Sequence, residues 1–159
     1  MQTLIISLLA AAQLATTPHH SEGQKAEYQQ HQREAPRAVQ QRFHRDYPEA
    51  TDTRWNYSQG RWNADFTDHS RYDRGEMVAH YDHTGRHVDS HIPYDRNDVP
   101  DPVIRHVEKR YPGSKDQYYT RIERPGSKAL FQITMNFKGR HTTRYVDDEG
   151  RERTYSGVH

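Results

Sequence analysis

The stretch Pro36-Arg-Ala-Val-Gln-Gln-Arg-Phe-His-Arg-Asp-Tyr-Pro48 decides the fold, because the chain carries it twice. The second version is Pro100-Asp-Pro-Val-Ile-Arg-His-Val-Glu-Lys-Arg-Tyr-Pro112. Pro36, Val39, Phe43, Tyr47 and Pro48 stand 64 residues before Pro100, Val103, Val107, Tyr111 and Pro112. In both versions the apolar residues recur at i, i+4 and i+8, one stripe of an α-helix. Pro suits the first turn, where its missing N–H is harmless, and the second Pro stops the helix.

Beyond each helix the period changes from four to two. In Arg61-Trp-Asn-Ala-Asp-Phe-Thr67, the apolar Trp62, Ala64 and Phe66 alternate with Asn63, Asp65 and Thr67. That alternation predicts a strand with one dry and one wet face. Around it, Thr53–Tyr57, Glu76–Tyr81 and Arg86–Ile92 read as strands, separated by turns at Ser58-Gln-Gly60 and Asp82-His-Thr-Gly85. The second version leads into Asp116–Glu123, the apolar Lys128–Phe137 and His141–Val146, then Asp147-Asp-Glu-Gly150-Arg151. For the second helix, Asp98 and Asp101 are the candidate caps.

The expected fold is therefore α+β: a tandem repeat of one helix plus a four-stranded antiparallel sheet. The units span 35–97 and 98–159. One such unit has a small core, so the two are expected to share a curved sheet with both helices on one face. The other face is left to solvent or a partner.

Composition limits the function. Hydrophobic residues make up 31% of the 159, but eleven Tyr, four Phe and two Trp give the thin core amphipathic rings. Disordered chains are poor in aromatics, so the part after residue 36 is expected to fold. Twenty-three Lys and Arg against twenty-two Asp and Glu give +1 at pH 7 with signs interspersed, which argues against a nucleic-acid partner. Cys is absent, removing disulfides, thiolate metal sites and a lipidated cysteine anchor.

Upstream of the first helix, residues 1–17 read as a secretory signal. Leu4–Leu14 is an apolar run of h-region length, too short to span a bilayer, and Ala10-Ala-Ala12 and Ala15-Thr-Thr17 are plausible small-residue cleavage regions. Residues 18–34 are polar throughout and read as a flexible leader. The expected location is periplasmic or secreted, with no membrane anchor after cleavage. At the other end, Gly157-Val-His159 is expected to fray.

Two copies of Pro-x2-Val-x3-(Phe/Val)-x3-Tyr-Pro, each followed by aromatic strands and an Asp-x2-Gly-Arg turn, resemble the PepSY-like, β-lactamase-inhibitor-like (BLIP-like) periplasmic proteins. The resemblance covers about residues 35–155 and rests on Tyr47-Pro48, Trp55, Trp62-x-Ala64-x-Phe66 and Tyr81-Asp82-x2-Gly85. The second half departs from it: Tyr119 stands where Trp55 does, Phe131-x-Ile133 replaces the Trp62 strand, and Arg144 interrupts an apolar strand. The resemblance implies tandem helix-plus-sheet units, export and protein binding on the sheet face. It implies no catalytic residues.

The residues agree on chemistry. No nucleophile elbow, His-Glu-x2-His or phosphate-binding Gly loop occurs, and nothing fixes a base beside a nucleophile, so a non-enzymatic protein without a cofactor is expected. With Trp62, Phe66 and Phe131 on the dry face, the wet face would carry Arg54, Asn56, Asn63, Asp65, His87, Asp89 and His91. Those seven are the candidate binding surface for a protein partner of unknown identity. The alternative is a small-ligand or metal site on the His80–His91 hairpin. Helical spacing of its histidines is excluded by the turn at Gly85, whereas a strand would place His87, Asp89 and His91 on one face, a weak Zn or Cu set.

Overall fold

The computed structural model describes residues 34–70 and 75–155. The expected signal, nearly all of the leader and Gly157-Val-His159 lie outside the described residues. Two ten-residue helices, α1 (Arg37–Asp46) and α2 (Asp101–Arg110), accompany seven strands. These are β1 (Thr51–Ser58), β2 (Arg61–Thr67), β3 (Met77–Tyr81), β4 (His87–Tyr94), β5 (Lys115–Glu123), β6 (Leu130–Phe137) and β7 (Arg140–Asp147). A 3-10 turn at Arg96–Asp98 precedes α2.

Both helices begin at proline. Pro36 and Pro100 sit at φ −54°, the angle their rings prefer, and no side chain caps either helix. Asp98 and Asp101 therefore do not act as the expected caps; the carbonyls of Pro36 and Pro100 open the backbone ladders, accepting from Gln40 and Ile104 at 3.1 and 3.2 Å. Both helices end at tyrosine. Tyr47 and Tyr111 turn to extended backbone while their N–H groups still bond Phe43 and Val107 carbonyls at 2.8 Å, and Pro48 and Pro112 follow.

The strands form one continuous antiparallel sheet in sequence order, β1 to β7. This corrects the expectation of two helix-plus-four-strand units. The sheet runs uninterrupted through the expected boundary, with β4 paired to β5 from Ser90–Glu123 to Tyr94–Tyr119. The second half also lacks a fourth strand. After β7 only the Val146–Glu152 bridge forms, with one more backbone bond from Arg153 N–H to the Tyr145 carbonyl at 2.8 Å. Tyr155 then turns onto the sheet face instead of prolonging the ladder, as its contacts below show.

The helix stripes do what their spacing requires. Val39, Phe43 and Tyr47 bury against Trp62, Phe66, Met77, Tyr81 and Ile92. Val103, Val107 and Tyr111 bury against Tyr119, Phe131, Ile133, Met135 and Val146. Tyr94 packs on both clusters, and its cross-strand partner Tyr119 faces α2, so both helices lie on the same side of the sheet. Phe43 is fully buried and meets Phe66, Trp55 and Tyr81 edge-on, at 4.9 to 6.3 Å between ring centres.

Each helix is seated on a turn built from Asp-x2-Gly-Arg. Asp82 Oδ1 accepts from the backbone N–H groups of Thr84 and Arg86 at 2.9 and 3.0 Å, and its Oδ2 accepts from Arg86 Nε at 3.0 Å. Asp147, almost fully buried, repeats this with the Arg151 N–H and Nε, both 2.9 Å, and adds Arg153 Nε at 2.8 Å. Burial pushes both carboxyls up, but these bonds outweigh it and hold each at about 2. The turn glycines touch helix backbone. At φ +86° and +84°, a Cβ on Gly85 would lie 3.1 Å from the Ala38 carbonyl oxygen, and one on Gly150 only 2.6 Å from that of Pro102.

Two stability predictions result. Gly150→Ala should cost about 3 kcal/mol or more, the left-handed backbone term plus displacement of α2, against about 1 kcal/mol for Gly139→Ala, where nothing lies within 4 Å. Urea unfolding midpoints check the order; equal costs would show that the turn does not seat the helix. The second concerns acid. A carboxyl held below its unfolded value stabilises fully above about pH 4 and loses that contribution as pH falls toward 2. Unfolding free energy should drop through that window, and Asp147→Asn should flatten the slope there.

Candidate functional site

The site lies on the sheet face turned away from the helices and is set by a β-bulge. In β3 and β4 the pairs Val78–His91, Ala79–Ser90 and His80–Asp89 are regular, but the next is Tyr81–His87, so Val88 is an extra residue. The bulge rotates His87 out of phase with Asp89 and His91.

His87 therefore belongs to the helix side, which corrects the expected single face of His87, Asp89 and His91. Its ring packs 5.2 Å from Tyr81, and its Nε2 lies 2.6 Å from Ser90 Oγ, which is 2.5 Å from the Tyr47 hydroxyl. Burial, ahead of the other influences, lowers the His87 pKa. This Ser–His contact is not a nucleophile and base, because Ser90 is 1% exposed and its oxygen is shared with Tyr47. It satisfies polar atoms inside the α1 core.

His80 takes the place expected of His87. His80 Nδ1 lies 2.5 Å from Asp89 Oδ1, and His91 Nε2 lies 3.6 Å from the same oxygen. The two imidazoles stand 5.0 Å apart at 87°. Asp89 is 2% exposed, and its second oxygen accepts from the Tyr155 hydroxyl at 3.0 Å. Burial raises the Asp89 carboxyl, but the His80 bond, the charges of both histidines and the Tyr155 bond together hold it below its ordinary value. Burial lowers His91, with His80 and Arg61 adding to it against Asp89. Burial and then Asp89 push the Tyr155 phenol up to about 12, so it stays a donor at neutral pH.

Tyr155 had no signal in the sequence beyond its ring. Besides Asp89 on β4, it stacks on Tyr145 of β7 at 4.8 Å and lies under the Arg124 guanidinium at 5.0 Å. The chain after β7 thus covers part of the face that the sequence left open. Ile122 and Leu130, which the register places on this face beside His91, are buried.

The remaining expected residues lie on the same face, over β1 and β2. Arg54 pairs with Glu76. Asn56 donates to Asp65 at 3.0 Å, and Asn63 donates to Asn56 and Ser58 at 2.6 and 2.7 Å. Burial, followed by Glu76, raises the Asp65 carboxyl. The face thus brings together Arg54, Asn56, Asn63, Asp65, His80, Asp89 and His91, much of it already internally bonded. Of these, His80, Asp89 and His91 can present one ligand atom each within 4.8 Å of one another.

No protein-family model matches the sequence, and no curated protein sequence does either. Solved structures do. A DUF2874 family protein from Bacteroides uniformis superposes with TM-score 0.68 at 18% identity, over 75% of this chain and 86% of that one. A protein from Bacteroides eggerthii described as "putative periplasmic" gives 0.68 at 16% identity, over 76% and 86%. A BLIP-like protein from Bacteroides fragilis gives 0.66 at 18% identity, over 80% and 93%. The chain has a BLIP-like fold. At these identities the likeness is one of architecture, and within this BLIP-like fold the polar cluster is read from the chain's own residues. Among the described residues, no helix is long and apolar enough to cross a membrane.

Asp89 is the keystone of that cluster. Asp89→Ala should destabilise by about 2–4 kcal/mol, since His80 and the Tyr155 hydroxyl lose a buried partner. Tyr155→Phe should cost only about 1 kcal/mol. Thermal unfolding of both variants tests the ranking.

Proposed function

We propose that the chain is an exported, non-enzymatic binding protein of the PepSY-like kind, which holds a segment of a protein partner on the sheet face opposite its helices. The supporting observation is Tyr118, an aromatic ring 70% exposed on that face. The register sets it beside Thr120 on β5, Gln132 and Thr134 on β6 and Thr143 on β7, an uncharged polar ladder. A groove of about 630 Å³ along Pro93, Asp95, Gln117, Tyr118 and Thr120 continues from it. An exposed tyrosine among short polar side chains combines large contact area with little entropy loss, as protein interfaces do. The Arg54–Asp65 ladder supplies a charged rim on the same face.

Export is supported by the apolar run near the N-terminus and by the periplasmic description of the B. eggerthii protein. The BLIP-like description of the B. fragilis protein suggests one consequence of binding, inhibition of the partner. Immobilised protein exposed to envelope extract tests this. One protein should be retained by wild type and by Arg45→Ala on α1, and retention should fall at least about tenfold for Tyr118→Lys, a cost of about 1.4 kcal/mol or more at an interface hot spot. Retention unchanged by Tyr118→Lys would overturn the assignment of the face.

A further inference from the structure

We propose that His80, Asp89 and His91 form a site for a late first-row divalent metal ion, with Zn²⁺ the ion to test. The donors come from two adjacent strands in fixed register: His80 on β3 opposite Asp89 on β4, and His91 two residues further along β4 on the same face. One nitrogen from each imidazole and one carboxylate oxygen lie within 4.8 Å of one another. Metal–ligand distances of about 2.0–2.2 Å bring such atoms to roughly 3.5 Å apart, a contraction that side-chain rotation covers. Two imidazoles and a carboxylate suit zinc and its neighbours, and leave further positions for water or a bound group.

Two features separate this cluster from a chance grouping. His91 Nε2 is buried without a hydrogen-bond partner although it faces Asp89 Oδ1 across 3.6 Å. Leaving such an atom unsatisfied is costly, and an ion between His91 and Asp89 would satisfy it. Asp89 is also held from behind: the Tyr155 hydroxyl takes Oδ2, leaving Oδ1 toward the two imidazoles. That is the outer-shell hydrogen bond that orients a ligating carboxylate. The lowered His91 pKa keeps its ring neutral and able to donate. The acidic group Asp147, Asp148 and Glu149 has no comparable vacancy, since Arg151, Arg153 and Lys128 already engage Asp147 and Glu149. Arg61, whose charge bears on His91, opposes the ion and favours micromolar over nanomolar affinity.

Chelator-treated protein titrated with Zn²⁺ should bind one equivalent by calorimetry and gain several degrees in Tm at saturation. Co²⁺ in its place should give the visible absorption of a low-coordinate N/O site. Tyr155→Phe should weaken Zn²⁺ binding about 10-fold or more while keeping one equivalent. His91→Gln should abolish the Tm gain and the Co²⁺ band, and so should His80→Gln, with Asp89 left in place so that folding is retained. Zn²⁺ heat that persists in both variants would assign binding to other histidines among the twelve and overturn the site, as would its absence in wild type. Partner retention by wild type in chelator bears only on the protein-binding reading, so the two fail independently.

Discussion

The contact on which the architecture depends is between backbones. Gly85 and Gly150 each lie against a carbonyl in the first turn of a helix, at distances where a side chain does not fit. Each glycine is delivered by a turn whose aspartate is tied to the backbone two to four residues on. The hairpin following β3 thereby fixes the start of α1, and the turn following β7 fixes the start of α2. With its start fixed and its end stopped by proline, each helix can lay only one stripe on the sheet. Hydrophobic burial supplies the driving force, while the turns set the geometry.

That arrangement leaves the two sheet faces with different duties. The helix side holds nearly all the large apolar residues in two clusters joined through Tyr94. Its polar atoms are bonded inward, as with Tyr47, Ser90 and His87. The other side carries little apolar area except Ile122 and Leu130, and its polar residues bond along and across strands. A chain only 31% hydrophobic thus spends its apolar residues on one side and has the second available for recognition.

Much of this was legible in the sequence because it is periodic. The stripes at Val39-Phe43-Tyr47 and Val103-Val107-Tyr111, the alternation of Trp62-Ala64-Phe66 and the glycine turns are local patterns with one physical meaning each. The count of strands was not legible, because copying the first half's order onto the second overlooks how little pairs after Asp147. The site was half legible. Asp89 and His91 follow from strand alternation, whereas exchanging His87 for His80 depends on a bulge at Val88 with no Gly to mark it. Tyr155 was beyond reach for a different reason: its partners are 66 residues away at Asp89 and across the sheet at Tyr145, and no local pattern encodes such a contact.

Tyr155 also joins the two halves of the chain at the site. His80, Asp89 and His91 come from the first helix-and-strand segment, yet the free oxygen of Asp89 is claimed by a residue that follows the last strand. Arg124, from the turn after β5, lies over the same ring. Any event that reorients Asp89 must therefore act on the Tyr155 hydroxyl and on its stack with Tyr145, at the edge strand of the sheet. The polar face is one connected surface, because the same ring that steadies the His–Asp–His cluster covers the sheet between it and β7. Occupancy at that cluster and the order of residues 152–155 are in consequence linked, and the linkage acts in both directions.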